Sequence, residues 1–407
     1  MRVSILTIGN EILSGRIVNT NASFIASRLY ETGLDIVHIL TVADKADEIK
    51  KALDYLINDS DIIITTGGLG PTSDDVTKKV ITEYFGKKLY LEEEIAKYLS
   101  DYLKKNIDDK NLRSQALIPT ESYYFINKVG TAPGILVENG NIKLFMLPGV
   151  PMEMKYLFSE WIIPYLKKNF RVDANIVYNF RTSTIPEVEI FEKLSGKVDK
   201  NDMSYLGFYP SYGVVDIRIS GKRSDREKLE ELRDLVKTEF KDFIFEEGSR
   251  KLEEVLGELL KKEGLTLAVA ESLTGGLIGK KLTDIPGSSL YFLGGAVTYS
   301  NYAKMKILGV REESINRFGA VSKETCEDML KGVREVFNSD CSIAVTGIAG
   351  PSGGTDKKPV GLVYIGGSMF DKFVIKRYTF PGNRDMIRER TCNYSLFLLL
   401  KLLESNK

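Results

Sequence analysis

Three times in this chain of 407 residues a short apolar run breaks off into a glycine-rich loop. Residues 61–66 run into Gly67-Gly68-Leu69-Gly70-Pro71-Thr72-Ser73-Asp74-Asp75, and residues 266–270 into Glu271-Ser272-Leu273-Thr274-Gly275-Gly276. The strand ending near Thr346 runs into Gly347-Ile348-Ala349-Gly350. Glycines at a strand's end let the backbone turn sharply and approach a ligand closely, and a helix starting there aims its first N–H groups at the same spot. Such turns belong to α/β sheets, whose ligands gather at the carboxyl ends of the strands. The three loops share no longer similarity, so they are not an internal repeat.

The first 170 residues have the alternation such a sheet needs. Strands are expected over 3–8, 35–42 and 61–66, with helices over 21–30 and 46–57, which implies a parallel sheet covered on both faces. Residues 153–168 read as one amphipathic helix with Trp161 and Tyr165 on its apolar side. Next comes a small α+β module: strand 176–184, helix 186–194, strands 203–209 and 214–220, helix 226–239. Glu246-Glu247-Gly248-Ser249 reads as a linker, and helix 252–262 opens a last α/β domain. The expected domains are 1–170, 171–248 and 249–407, an α/β multidomain chain. With 43% hydrophobic residues it has enough apolar material for more than one core.

Charge narrows the partners. Lys plus Arg and Asp plus Glu both number 56, so no global field draws the chain to nucleic acid or an anionic membrane. Small molecules are the expected partners. The N-terminus lacks a signal-peptide pattern and no apolar run reaches membrane-spanning length, so a cytoplasmic protein is expected. Cys326, Cys341 and Cys392, without metal-ligand spacing, read as reduced packing residues.

Ser272 stands where the second strand turns, the position at which a side chain is exposed and an oxyanion can be held. A serine needs a base to become a nucleophile. The chain has one histidine, His38, in a different domain, so a Ser-His-Asp triad within this unit is excluded. The candidates close in sequence are Tyr299 and Lys304: a desolvated lysine loses its proton near neutral pH, and a tyrosine can relay one. A serine in this position is also a common helix N-cap.

In the first loop, Gly67, Gly68 and Gly70 fit a phosphate, yet Asp74 and Asp75 stand beside it. Two carboxylates there suit a divalent cation bridging to substrate phosphates. They equally suit the positive end of a helix dipole.

Ala270-Glu271-Ser272-Leu273-Thr274-Gly275-Gly276, Thr298-Tyr299-Ser300-Asn301 with Ala303-Lys304, Val345-Thr346-Gly347-Ile348-Ala349-Gly350-Pro351, Lys358-Pro359-Val360-Gly361 and Phe380-Pro381-Gly382-Asn383-Arg384 resemble the CinA C-terminal family, which includes nicotinamide mononucleotide deamidases. The resemblance implies Ser272 as nucleophile, assisted by Lys304 and Tyr299, without a metal. Thr274, Gly275, Thr346, Gly347, Gly350 and Arg384 would serve the substrate or its oxyanion.

Residues 1–168 resemble the molybdopterin-binding fold, and more narrowly the N-terminal domain of CinA. The motifs are Gly9-Asn10-Glu11-Ile12-Leu13, Val18-Asn19-Thr20-Asn21, Thr66-Gly67-Gly68-Leu69-Gly70-Pro71-Thr72 with Asp74-Asp75-Val76-Thr77, Gly130-Thr131-Ala132-Pro133-Gly134 and Leu147-Pro148-Gly149-Val150-Pro151. This implies ADP-ribose hydrolysis to AMP and ribose 5-phosphate with magnesium, manganese or cobalt. Asp74, Asp75 and Glu11 would then hold the metal, and Gly67, Gly68, Gly70, Thr72 and Asn21 the substrate.

The middle segment is similar to the KH-like domain of that family. It lacks the Gly-x-x-Gly loop with which a KH domain clamps nucleic acid, so it reads as a spacer or a homodimer contact. Two other activities fit the same resemblance: a molybdopterin-type binding or adenylyltransferase N-terminal domain, and a non-enzymatic competence or DNA-damage partner.

Overall fold

The computed structural model describes residues 1–70, 75–104, 110–170 and 172–405. Contacts group the chain into two units, residues 1–176 with 221–226, and residues 177–220 with 227–407. Pro71, Thr72, Ser73 and Asp74 therefore lie outside the described residues, and with them two of the expected site positions.

In the first unit the strands are β1 (Arg2–Ile8), β2 (Asp35–Val42), β3 (Ile62–Thr66), β4 (Leu89–Leu91), β5 (Leu117–Pro119), β6 (Ser122–Phe125), β7 (Gly134–Asn139) and β8 (Ile142–Leu147). Six of them form one sheet in the order β2-β1-β3-β8-β7-β6, while β4 and β5 pair separately. β1 lies parallel to both β2 and β3, and β3 to β8; β7 and β6 continue antiparallel. Every residue of β1 after Arg2 is buried, because both faces are covered and an alternating pattern would put polar groups into a core. Val3 and Ile5 pack on one side with Ile25 and Leu29, whereas Leu6 and Ile8 pack on the other with Ile49 and Leu53.

The helix expected over 153–168 begins earlier, at Pro151, and runs through Leu157 before widening into a π turn, Phe158–Ile162, and resuming as Ile163–Asn169. Pro164 stands at the second position of the helix that follows the π turn; it has no N–H to give the preceding turn, and its ring would clash with the carbonyl of residue 160 in an unbroken α-helix.

The middle module comprises β9 (Ile176–Ser183), β10 (Leu206–Ser211), β11 (Val214–Gly221) and β12 (Ile244–Glu247), with helices Glu187–Ser195 and Arg226–Glu239 between them. Its sheet order is β10-β11-β9-β12. Strand and helix therefore follow a β-α-β-β-α-β path into a four-stranded split βαβ sheet. The expected linker is corrected: Glu246 and Glu247 end β12, and Glu246 is buried and bonded to Arg250.

The last domain holds β13 (Leu267–Glu271), β14 (Phe292–Val297), β15 (Cys341–Gly347), β16 (Leu362–Met369) and β17 (Lys372–Thr379), in the order β14-β13-β15-β16-β17. β13 is parallel to β14 on one side and to β15 on the other. The strands that follow β13 lie on opposite sides of it, the kind of switch point beside whose carboxyl strand ends α/β sheets gather their ligands. The long helix Arg384–Glu404 covers one face. Val214 and Phe245 of the middle module share a hydrophobic cluster with Leu256, Ile387 and Leu396 of this domain. The three cysteines are free and buried, and no described helix is long and apolar enough to cross a membrane.

Candidate active sites

Ser272 follows β13 directly and is only 7% exposed. Gly275 and Gly276 take positive φ, 60° and 96°, so the chain can turn within the space between strand and helix. Lys304 projects from the helix Asn301–Leu308 that begins after β14, capped by Ser300, whose hydroxyl accepts from the Ala303 N–H. The Lys304 side chain is 1% exposed. Its Nζ lies 3.1 Å from Ser272 Oγ, 2.6 Å from the Thr298 carbonyl oxygen and 3.4 Å from that of Tyr299. Burial pushes its pKa down to about 8, because a charged ammonium loses hydration there. The expected serine and lysine are thus brought together, with a base partly neutral near physiological pH.

Tyr299 supplies this pair with its carbonyl; its phenol is bonded instead by Arg384 Nη2 at 3.1 Å. The second Arg384 nitrogen, Nη1, donates to the Gly350 carbonyl at 2.9 Å, so Arg384, Tyr299 and the third glycine loop form one strap. Thr346 is buried and gives its hydroxyl proton to the Ala320 carbonyl. Gly347 continues the β15–β16 ladder opposite Val363, and the next N–H, of Ile348, donates to the Leu362 carbonyl.

One expectation is corrected. The helix N–H groups after Thr274 are not open donors: those of Gly276, Ile278 and Gly279 all reach the buried Glu271 carboxylate, at 2.9, 3.2 and 2.8 Å. A carboxylate at a helix N-terminus satisfies orphan donors and the dipole together. The signal was an acidic residue closing an apolar strand just ahead of two glycines. Arg388 is a second residue that spacing did not single out: its Nη2 donates to the Thr274 carbonyl at 2.7 Å and so holds the same turn.

In the first unit, a cleft of about 680 Å³ opens where β1, β2 and β3 end. Glu11, Arg16, Asp44, Gly67, Gly68 and Asp75 are among its lining residues. Gly67 has φ 109°, and a Cβ there would come within 2.0 Å of the Ile8 carbonyl oxygen, so glycine is required. Asn21 lies beneath the cleft and braces it, donating to Thr66 Oγ1 at 3.0 Å and to the Gly149 carbonyl at 2.8 Å.

Asp44 was not anticipated, although it follows β2 as Asp75 follows β3. Its carboxylate accepts from the Asn10 N–H at 2.8 Å. Burial raises its pKa, opposed by that hydrogen bond and reinforced by the negative charges of Glu11 and Asp75. Three carboxylates that feel one another in one cleft fit a site for a cation. Among the described residues no three acidic, His or Cys groups close into a ligand cage, but magnesium needs only one or two carboxylates when phosphates complete its shell.

Fold and sites together define a two-site α/β chain, with one carboxylate-lined cleft and one buried serine–lysine pair. Residues 249–403 match the model of the CinA C-terminal domain, and residues 4–168 that of the probable molybdopterin binding domain. The putative competence-damage inducible protein of Caldicellulosiruptor saccharolyticus is 40% identical over 410 residues, 99% of each chain. That of Clostridium tetani is 40% identical over 410 residues, 99% of this chain and 100% of its own. The crystal structure of the competence/damage inducible protein CihA from Agrobacterium tumefaciens aligns at 38% identity with 38% of this chain and 99% of that one, at a TM-score of 0.36. This chain belongs to the CinA family.

Proposed function

We propose that the C-terminal site hydrolyses the carboxamide of nicotinamide mononucleotide, releasing nicotinic acid mononucleotide and ammonia. The observation that carries this reading is the buried Lys304 amine 3.1 Å from Ser272 Oγ, with a pKa of about 8.

Neutral Lys304 takes the hydroxyl proton as Ser272 Oγ bonds to the carboxamide carbon. Glu271 occupies the N–H groups of Gly276, Ile278 and Gly279, so the developing oxyanion falls to the turn ahead of them. The N–H groups of Leu273 and Thr274 have no acceptor among the described residues and are the donors offered to it. The Lys304 ammonium then gives its proton to the amide nitrogen, the C–N bond breaks and ammonia leaves. Water attacks the resulting ester, passing a proton through Lys304 back to Ser272. The strap of Arg384 and the Gly350 loop suits the substrate phosphate.

In the first unit, hydrolysis of ADP-ribose to AMP and ribose 5-phosphate is the matching proposal. Glu11, Asp44 and Asp75, with Asp74, would hold a divalent cation, which when bound neutralises the diphosphate charge. The close turn at Gly67 and Gly68 leaves room for the phosphates. Incubating the full chain with each nucleotide, with and without EDTA, tests both halves. Ammonia should appear from nicotinamide mononucleotide regardless of EDTA, and AMP from ADP-ribose only without it. No ammonia from an intact, folded chain would sink the amidase reading.

A further inference from the structure

The charge balance of the first cleft leaves a problem that one residue resolves. Glu11, Asp44 and Asp75 line it, and among the described lining residues Arg16 is the only cation. A diphosphate entering such a cleft meets like charge from three carboxylates. A divalent cation held by them offsets part of that repulsion, and a guanidinium facing the same space supplies directional donors as well.

Arg16 is placed for this by its backbone. Its N–H and that of Ile17 both donate to the Glu11 carbonyl, at 3.0 and 3.2 Å, and Ser14 Oγ donates to the same oxygen at 3.1 Å. Gly15 makes the tight return possible at φ 71°. One carbonyl thus gathers three donors and fixes the start of the Arg16 side chain relative to the Glu11 carboxylate. Beyond that anchored backbone, the guanidinium makes no hydrogen bond or ion pair with any described residue, although three carboxylates line the same cleft. Other exposed arginines of this chain, such as Arg2 and Arg28, do pair with nearby carboxylates.

We propose that Arg16 is the diphosphate-binding residue of the N-terminal site, gripping the phosphate oxygens that face away from the metal-binding carboxylates. This inference rests on the reading of the cleft as a phosphate site. It implies that Arg16 favours ligands with two linked phosphates over a single one, since a fork of donors engages two oxygens at once.

The test is calorimetric titration of the full chain with inorganic pyrophosphate and with AMP, magnesium present, for wild type, Arg16→Gln and Arg16→Lys. Loss of a charge-assisted pair should weaken pyrophosphate binding roughly ten- to a hundredfold in Arg16→Gln. Arg16→Lys should fall between, and AMP should lose less than pyrophosphate in both variants. Turnover of ADP-ribose should show the loss mainly as a raised KM. Pyrophosphate affinity unchanged within about twofold in Arg16→Gln, while wild type binds it, overturns the role of Arg16 and leaves the cleft's reading intact. Wild type that binds neither anion overturns both. Thermal melts should coincide for the three proteins, because the side chain has no described partner to lose; a lowered melting temperature in Arg16→Gln would show a structural role instead.

Discussion

Replacing Lys304 by methionine tests catalysis and stability together, because loss of one proton governs both and both should rise with pH in the wild type. Burial holds the Lys304 pKa at about 8, whereas in the unfolded chain it returns to about 10.4. Between those values the unfolded state binds the proton and the folded state does not, so the wild-type unfolding free energy rises with pH across this window. Below about pH 8 the buried group is charged in both states, and the cost of that burial is present in full. At ~1.36 kcal/mol per pKa unit, the difference amounts to about 3 kcal/mol. Lys304→Met has no such dependence. It instead strands the Thr298 carbonyl that Nζ now serves at 2.6 Å, a penalty of ~1–3 kcal/mol that does not vary with pH.

The stability of wild type relative to the variant should therefore increase by about 3 kcal/mol from pH 7 to pH 10.5, whatever the offset at either end. Denaturation followed by circular dichroism measures it, with the transition of the C-terminal unit fitted separately because two units need not unfold together. In parallel, wild-type kcat/KM for ammonia release should climb with pH and level off near 8, where the amine becomes neutral. A stability difference that stays flat with pH, or a rate already level at pH 6, would show that Lys304 does not carry the proton.

Other expectations follow from the same geometry. Ser272→Ala should keep the fold and lower ammonia release by ~10²-fold or more; a variant retaining a tenth of the wild-type rate would exclude it as nucleophile. Glu271→Gln leaves three helix N–H groups with one neutral acceptor oxygen, so it should destabilise the C-terminal unit by ~1–3 kcal/mol, read as a lower melting temperature together with slower ammonia release. Asn at both Asp74 and Asp75 should abolish AMP production from ADP-ribose and leave ammonia release unchanged; AMP formation persisting in the double variant or in EDTA would remove the metal from the proposal. A fragment of residues 249–407 carries Ser272, Tyr299, Lys304, Thr346 and Arg384 and should still release ammonia. It should melt below the full chain's C-terminal transition, because it loses Val214 and Phe245 from a shared core and two bonds to the middle module, Asn393 Nδ2 to the Tyr212 carbonyl and Lys401 Nζ to that of Ile244. Ammonia release only after residues 1–248 are added back would show that the site spans both segments.

Local chemistry alone determined much of this protein. A short, largely apolar run closed by glycines, such as Ile62–Thr66, reads as a strand covered on both faces, and the glycine pair shortly after the run ending at Glu271 permits the turn that leaves Ser272 at the carboxyl end of its strand. Helix Ala46–Ile57 and strand Asp35–Val42 form over the residues that periodicity assigns them, since within one element neighbours three or four apart, or two apart, already show which face is buried.

Only the tertiary structure decided what those positions meet. Lys304 is 32 residues from Ser272, and it is the parallel pairing of β13 with β14 that brings the helix after β14 beside the turn after β13. Burial of its ammonium, which makes it a base, is a property of that packing and of no local pattern. The same holds for Glu271, whose carboxylate folds onto its own helix, and for Asp44, made a neighbour of Glu11 and Asp75 by the β2-β1-β3 order. The middle module shows the limit most clearly: its strands and helices could be placed one by one, but their split βαβ order depends on which edges pair, and hydrogen bonds between strands far apart in sequence leave no periodic trace in it.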